Sequence, residues 1–159
     1  MILYHPLTDA YHNLYRNLSI LQSFEKSSIE SDRLLIYNYF FLFPQELRRT
    51  TLPKEFSSYK KIKFQNKFNS IKNYQTVIGR LRTVQEITIQ SLIGYRFVDQ
   101  KIYLNENKIS LNDLAFEKKM HLDEVHKNVI TLYKEYFQFL NLRELKERTK
   151  ILEYRYEQP

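Results

Sequence analysis

Between Arg33 and Pro44 every residue is apolar or aromatic except Asn38. Nothing else in the chain constrains the fold so strongly. Ten residues rise about 15 Å as a helix, half of the roughly 30 Å hydrocarbon core of a bilayer. The stretch is therefore too short for a membrane span and reads as a buried helix. A helix that is apolar nearly all round has no solvent face, so it must be central, with other elements covering it. Its predicted bounds are residues 32–43. Ser31 is placed to cap it, and Pro44 stops it because the residue before a proline disfavours the α region. At 43% hydrophobic residues in a chain of 159, there is enough apolar material to build a core around it.

The elements before it follow from periodicity. Leu7, Tyr11, Leu14, Leu18 and Leu21 recur at steps of three and four, which predicts an amphipathic first helix opening near residues 6–8. Pro6 suits the first turn, and Thr8 or Asp9 can cap it. Tyr4, Tyr15 and Phe24 widen the stripe. Residues 25–31 are a polar connector. Residues 45–49 read as one short turn, and Pro53 closes that segment.

Further on, Thr83 followed three residues later by Glu86 is a capping-box pattern. It predicts a helix carrying Val84, Ile87 and Leu92, with Gly94 just past its end. Residues 95–111 read as strand-like. Phe97, Val98, Ile102, Leu104 and Ile109 are the apolar members; Asp99 with Gln100, and Asn105 to Asn107, are two competing turns. Ser110 with Asp113 resembles another helix start, leading to Leu114 and Phe116. A long helix is predicted around residues 122–140, with Leu122, Val125, Val129, Leu132, Tyr136 and Phe139 or Leu140 on one side. A last helix covers about 143–152. Helix, capped helix, glycine, hairpin, helix is the order of a winged-helix unit. The expected fold is mainly α with a small β-hairpin, a winged-helix-like core flanked by N-terminal and C-terminal helices. Residues 1–159 are expected as one domain: a helical pair at 1–50, a basic segment with helix and hairpin at 51–111, and C-terminal helices at 112–159.

Charge is distributed unevenly. The net charge is +7. Residues 1–50 carry five basic and five acidic side chains, and residues 111–159 carry nine of each. The whole excess lies between them, concentrated at 54–82, where Lys54, Lys60, Lys61, Lys63, Lys67, Lys72, Arg80 and Arg82 face the single acid Glu55. Phe56, Tyr59, Phe64, Phe68 and Tyr74 interleave with these cations. Phe64, Phe68 and Ile71 follow i, i+4, i+7, which predicts an amphipathic helix with a basic rim. Lys60, Lys61, Lys63, Lys67, Lys72, Arg80 and Arg82 are candidates for contact with DNA phosphates or an acidic protein surface. The alternative is a solvated helix whose aromatics face the core. A base-reading helix needs cations or amides towards the groove. Residues 84–93 offer Gln85, Glu86 and Gln90 and no cation, which weakens an autonomous winged-helix DNA-binding transcriptional regulator.

Catalytic chemistry has little to work with. There is no cysteine, hence no disulfide, thiol nucleophile or cysteine-based zinc site. Gly79 and Gly94 are the only glycines, so no Gly-rich phosphate loop can form. No Gly-x-Ser-x-Gly, His-Glu-x-x-His or Walker-type pattern occurs. His121 and His126 are five apart, about 140° around a helix, so they do not share a face. His5, Asp9 and His12 align only if a helix runs back through Pro6. Glu144 and Glu117 sit in ordinary helix charge patterns. Neither a metal, a cofactor nor an enzymatic activity is expected. Residues 1–10 lack a basic n-region followed by an apolar run, so no secretory signal is expected either.

Several strings carry a resemblance. Tyr4-His5-Pro6, then Asp9-Ala10-Tyr11-His12 and Tyr15-Arg16, resemble the opening of the small middle components of bacterial ABC-three-component systems, which include Lamassu-type anti-phage defence systems. Asp32-Arg33-Leu34 leading to Phe41-Leu42-Phe43-Pro44 is similar to their second helix. Arg148-Thr149 and Leu152-Glu153-Tyr154-Arg155-Tyr156 are similar to their ending, although Lys150 stands where the pattern has glycine. The resemblance implies a non-catalytic, cytoplasmic subunit without a cofactor. Its implied partners are an SMC-like ABC ATPase, an effector nuclease and, through the assembled complex, DNA, with no membrane. It also implies architectural or interface roles for His5, Pro6, Asp9, Tyr11, His12, Tyr15, Arg16, Arg33, Pro44, Glu153, Arg155 and Tyr156. Arg16 or Arg33 is expected to pair with Glu153 across helices.

Overall fold

The computed structural model describes residues 9–64 and 73–153. It is mostly helical with one small antiparallel β element, as expected. The first helix, α1, spans Ala10–Ser23 and is capped by Asp9, whose carboxylate accepts from the His12 backbone N–H. Leu18, Ile20 and Leu21 face inward, but so do Asn13, Arg16, Asn17 and Ser19. Tyr11 and Tyr15, expected in the apolar stripe, instead point to solvent. The stripe is rotated because a polar network, described below, occupies part of the buried face.

The central helix, α2, spans Ser31–Leu42, within a residue of expectation at each end. Every residue from Ser31 to Phe41 is buried except Asp32. Ser31 is not its cap. It is the first helical residue, and its hydroxyl donates to the Asn107 carbonyl and side chain. Tyr37 anchors the core. Its ring stacks on Tyr133 at 4.2 Å and 8°, and the Tyr133 hydroxyl donates to the Tyr37 carbonyl at 2.6 Å. Burial pushes the Tyr37 phenol up to about 12, against the opposing bond from Arg33. After Pro44 the chain makes the 3-10 turn Pro44–Arg49, then a second, Lys54–Lys61.

The middle of the chain departs most from the sequence pattern. Helix α3 is one element of 21 residues, Tyr74–Gly94, capped by Asn73. Thr83 lies inside it and donates back to the Gly79 carbonyl, so the Thr83–Glu86 pattern does not open a helix. Gly94 is the last helical residue, and the left-handed position falls on Arg96, with φ 62°. The segment expected to form the hairpin carries helix α4, Gln100–Glu106. Both supposed turns are its ends. Asp99 accepts from the N–H groups of Lys101 and Ile102, and Asn107 closes the helix at φ 53°, a conformation asparagine tolerates.

The antiparallel pair is therefore long-range. Strand β1, Ile29–Glu30, pairs with β2, Lys108–Ile109, with Ile29 opposite Ile109. A single bridge joins Val98 to Leu111 beyond α4. No wing extends from residues 95–111. Ser110 does not open a helix either. Its hydroxyl bonds the Lys26 carbonyl, and Asn112 caps the 3-10 turn Asp113–Phe116.

Helix α5, Glu124–Glu135, is shorter than predicted. It breaks at Tyr136, passes through the 3-10 turn Phe137–Phe139, and restarts as α6, Leu142–Thr149, with a full Asn141–Glu144 capping box. Phe137 is buried, whereas Phe139 is 75% exposed. Lys150 ends α6 at φ 61°, the left-handed position that favours glycine. Helices α1, α3, α5 and α6 all pack on α2, and one hydrophobic cluster joins residues from Leu18 to Ile151. Among the described residues no helix is long and apolar enough to cross a membrane.

Candidate partner-binding surface

The basic segment is built on the second 3-10 turn, Lys54–Lys61. At three residues per turn, positions i and i+3 share a face. Phe56 and Tyr59 therefore point the same way, inward: Phe56 stacks on Tyr136 at 5.1 Å, and Tyr59 lies 6.4 Å from Phe56. Both pack against the core cluster. Burial, and then Glu135, push the Tyr59 phenol up. The lysines take the other side. Lys54, Lys60, Lys61 and Lys63 are exposed, and none has an ion-pair partner among the described residues. Phe64 meets His126 edge-on at 5.4 Å and ties the end of the segment to α5. His126 in turn faces Asp123 at 2.7 Å and the Phe41 carbonyl at 2.9 Å. Burial raises the Asp123 carboxyl, but the hydrogen bonds from His126 outweigh it and hold it below its ordinary value.

Other predicted cations divide. Arg80 is exposed on α3. Arg82 is drawn into a clamp on Asp32, at 3.2 Å, which Lys146 completes at 2.8 Å. That clamp ties α3 and α6 to the start of α2. Burial raises the Asp32 carboxyl, yet the two cations outweigh it and leave it below the ordinary value. Lys67 and Lys72, with Phe68 and Ile71, lie outside the described residues.

The predicted interface residues also divide. Tyr11 (72% exposed), Tyr15 and His12 project from the outer side of α1. Arg16 turns inward. Its guanidinium donates to Asn38 Oδ1 and Asn13 Oδ1, both at 3.0 Å. Asn38 Nδ2 donates to Asn13 Oδ1 at 2.7 Å, and Asn13 Nδ2 donates to Thr88 Oγ1 at 2.8 Å. One polar chain thus joins α1, α2 and α3. Burial lowers Arg16 to about 10, and Asp9 opposes it. Arg33 is buried too. It bonds Glu30 at 2.7 Å, the Phe137 carbonyl at 2.8 Å and the Leu140 carbonyl at 2.6 Å. Neither arginine pairs with Glu153, which is exposed; each is committed to groups inside the fold. His5, Pro6, Arg155 and Tyr156 lie outside the described residues.

Asn13, Thr88 and Gln22 escaped sequence reasoning. Gln22 bonds the carbonyls of Ala115 and Lys118 and the Met120 N–H, holding the loop after β2 on α1. A signal for the first was present: Asn13, Arg16 and Asn17 fall at i, i+3, i+4, and Asn38 interrupts the apolar run. Among the described residues no group of three His, Asp or Glu side chains is placed to hold a metal.

The family model described as ABC-three component (ABC-3C) system Middle Component 5 matches residues 2–157. The chain belongs to that family. This middle component matches no curated protein and no solved structure. The family match spans both the inward polar network and the outward basic face, so both belong to the same component.

Proposed function

We propose that this middle component is a non-catalytic, cytoplasmic subunit of a Lamassu-type anti-phage complex. It docks near the heads of an SMC-like ABC ATPase and helps couple DNA sensing to an effector nuclease. Its exposed lysines, with Lys67, Lys72 and Arg80, contact DNA phosphates beside the heads. One observation carries this reading: in the basic segment Phe56 and Tyr59 are spent on the core while Lys60, Lys61 and Lys63 stand exposed with no ion-pair partner among the described residues. A cationic strip of that kind displaces counterions from a polyanion without reading its sequence. Tyr11 and Tyr15 add aromatic area suited to a protein interface, together with His12 and Glu153. Residues 1–159 act as one unit, a reading supported by the one core cluster that runs from Leu18 to Ile151 among the described residues. The autonomous-regulator reading has less support, since Gln85 is buried against the Ser31 carbonyl and α4 occupies the place of a wing.

Co-expression with the ABC ATPase of the same system tests the proposal. The expected result is one co-eluting complex on size exclusion. Separate elution of two folded proteins overturns it.

A further inference from the structure

A cavity of about 170 Å³ opens where α2 and α6 both end, against the start of α3. Tyr39, Phe40 and Tyr74 form its aromatic walls, Thr149 and Ile151 its far side, and Glu46 its charged base. Glu46 is only 3% exposed, and its Oε2 has no hydrogen-bond partner. Among the described residues its one ion pair is a contact of Arg49 Nε with that same Oε2, at 3.3 Å and outside hydrogen-bond geometry, and that arginine side chain is 54% exposed at the rim. A buried carboxylate normally receives several donors, because taking its charge out of water is otherwise costly.

The surrounding backbone adds to the demand for a cation. Tyr39 and Phe40 lie in the last turn of α2, which holds no basic residue, and Thr149 is the last residue of α6. The C-terminal turns of α2 and α6 thus line the cavity beside Glu46, and the uncompensated partial negative charge is that of α2, since Lys146 and Arg148 lie in the last turn of α6. The exposed Arg49 and Lys150 hover at the mouth without filling it. Burial first, and then the Glu46 charge, push the Tyr39 phenol well above its ordinary value, so this wall stays a neutral aromatic face. Size narrows the guest further. A void of about 150 Å³ takes a benzene-sized group, and drug-sized ligands need roughly 300 Å³ or more.

We infer that the Glu46 cavity is a socket for one arginine side chain supplied by a partner subunit. The planar guanidinium stacks on the tyrosine faces while its N–H groups satisfy Glu46, displacing Arg49 to solvent.

N-acetyl-arginine amide is the probe, titrated into the full chain with selectively labelled tyrosines observed by NMR. The expected result is a saturable shift confined to Tyr39 and Tyr74. The neutral citrulline counterpart should give none. Glu46→Gln should weaken the response at least tenfold, and Arg49→Ala, which removes the internal competitor, should tighten it several-fold. No saturable shift in either the wild type or Arg49→Ala, or an equal response to citrulline, overturns the socket. The partner source depends on the subunit reading above, and the probe titration does not, so the two failures are distinguishable. Glu46→Gln should also weaken assembly with the ATPase at least tenfold; assembly at wild-type affinity rejects the partner as the source of the guanidinium.

Discussion

Arg16 and Arg33, inside the fold, and Lys60, Lys61 and Lys63, at its surface, carry the same charge and have opposite fates. The arginines are sealed inside the helical core with carbonyls, amides and Glu30 arranged around them. Lys60 and Lys61 end a short 3-10 turn whose aromatics pack inward, Lys63 follows it, and none of the three has an ion-pair partner among the described residues. A guanidinium has five donors in a fixed fork and is weakly hydrated, so it can tie several elements together at one point. An ammonium on a flexible stem is strongly hydrated and does better at the surface. Net charge alone conceals this division. Part of the positive charge is structural material, and part stands exposed at the surface.

The comparison is broken most severely at Arg33. Arg33→Met keeps the stem but leaves Glu30 and the carbonyls of Phe137 and Leu140 without their donor. A loss of about 3–5 kcal/mol is expected in urea unfolding. A loss under about 1 kcal/mol would show that the turn after α5 holds itself. Next comes Asn38→Ala, which takes one acceptor from Arg16 and one donor from Asn13 and should cost about 2 kcal/mol. Asn38 also shows how much was legible. It was visible as the one polar residue in an apolar run, but its partners Arg16 and Asn13 lie 22 and 25 residues away, and no local pattern pairs them.

The same limit explains the larger misreading of residues 95–111. Helix α2 and its stop at Pro44 were legible because burial on all sides leaves an unmistakable pattern. The C-terminal helix pair was legible in outline. Helix α4 was not, because asparagine and aspartate favour both turns and helix ends. Asp99 and Asn107 satisfied either reading, and only the pairing of Lys108 and Ile109 with the distant β1 decided between them. Thr83 misled for a related reason: a threonine inside a helix can bond back to the preceding turn. In the candidate surface, the clustering of cations at 54–82 was legible. It did not reveal that Arg82 would be taken by Asp32, or which side of the turn the aromatics would choose.

A smaller effect follows from that Asp32 clamp. A carboxylate held below its ordinary value contributes stability that is complete above its unfolded value and is lost as pH falls through the folded one. For Asp32 the loss therefore begins below the ordinary value of 3.8. Asp32→Asn should cost about 1 kcal/mol at neutral pH and flatten the acid limb of the stability curve. An unchanged acid limb would assign the effect to Asp123 or to other carboxylates. Lys150→Gly should stabilise by about 0.5 kcal/mol, since glycine relieves the strain of φ 61° by more than its extra freedom in the unfolded chain costs. A lower melting temperature in that variant would contradict the left-handed cap.

The smallest effect on stability belongs to the outward lysines. Lys60, Lys61 and Lys63 changed together to alanine should leave unfolding within about 0.5 kcal/mol of the wild type, as expected for exposed groups without partners. The role proposed for them is read only in binding. The most direct test is the salt dependence of DNA affinity for the complex assembled with wild-type chain and with this triple variant. Three lost phosphate contacts lower the slope of log K against log salt by about three. That decrease, with folding intact, is the result predicted here. An unchanged slope and affinity would contradict the assignment of the outward lysines to DNA.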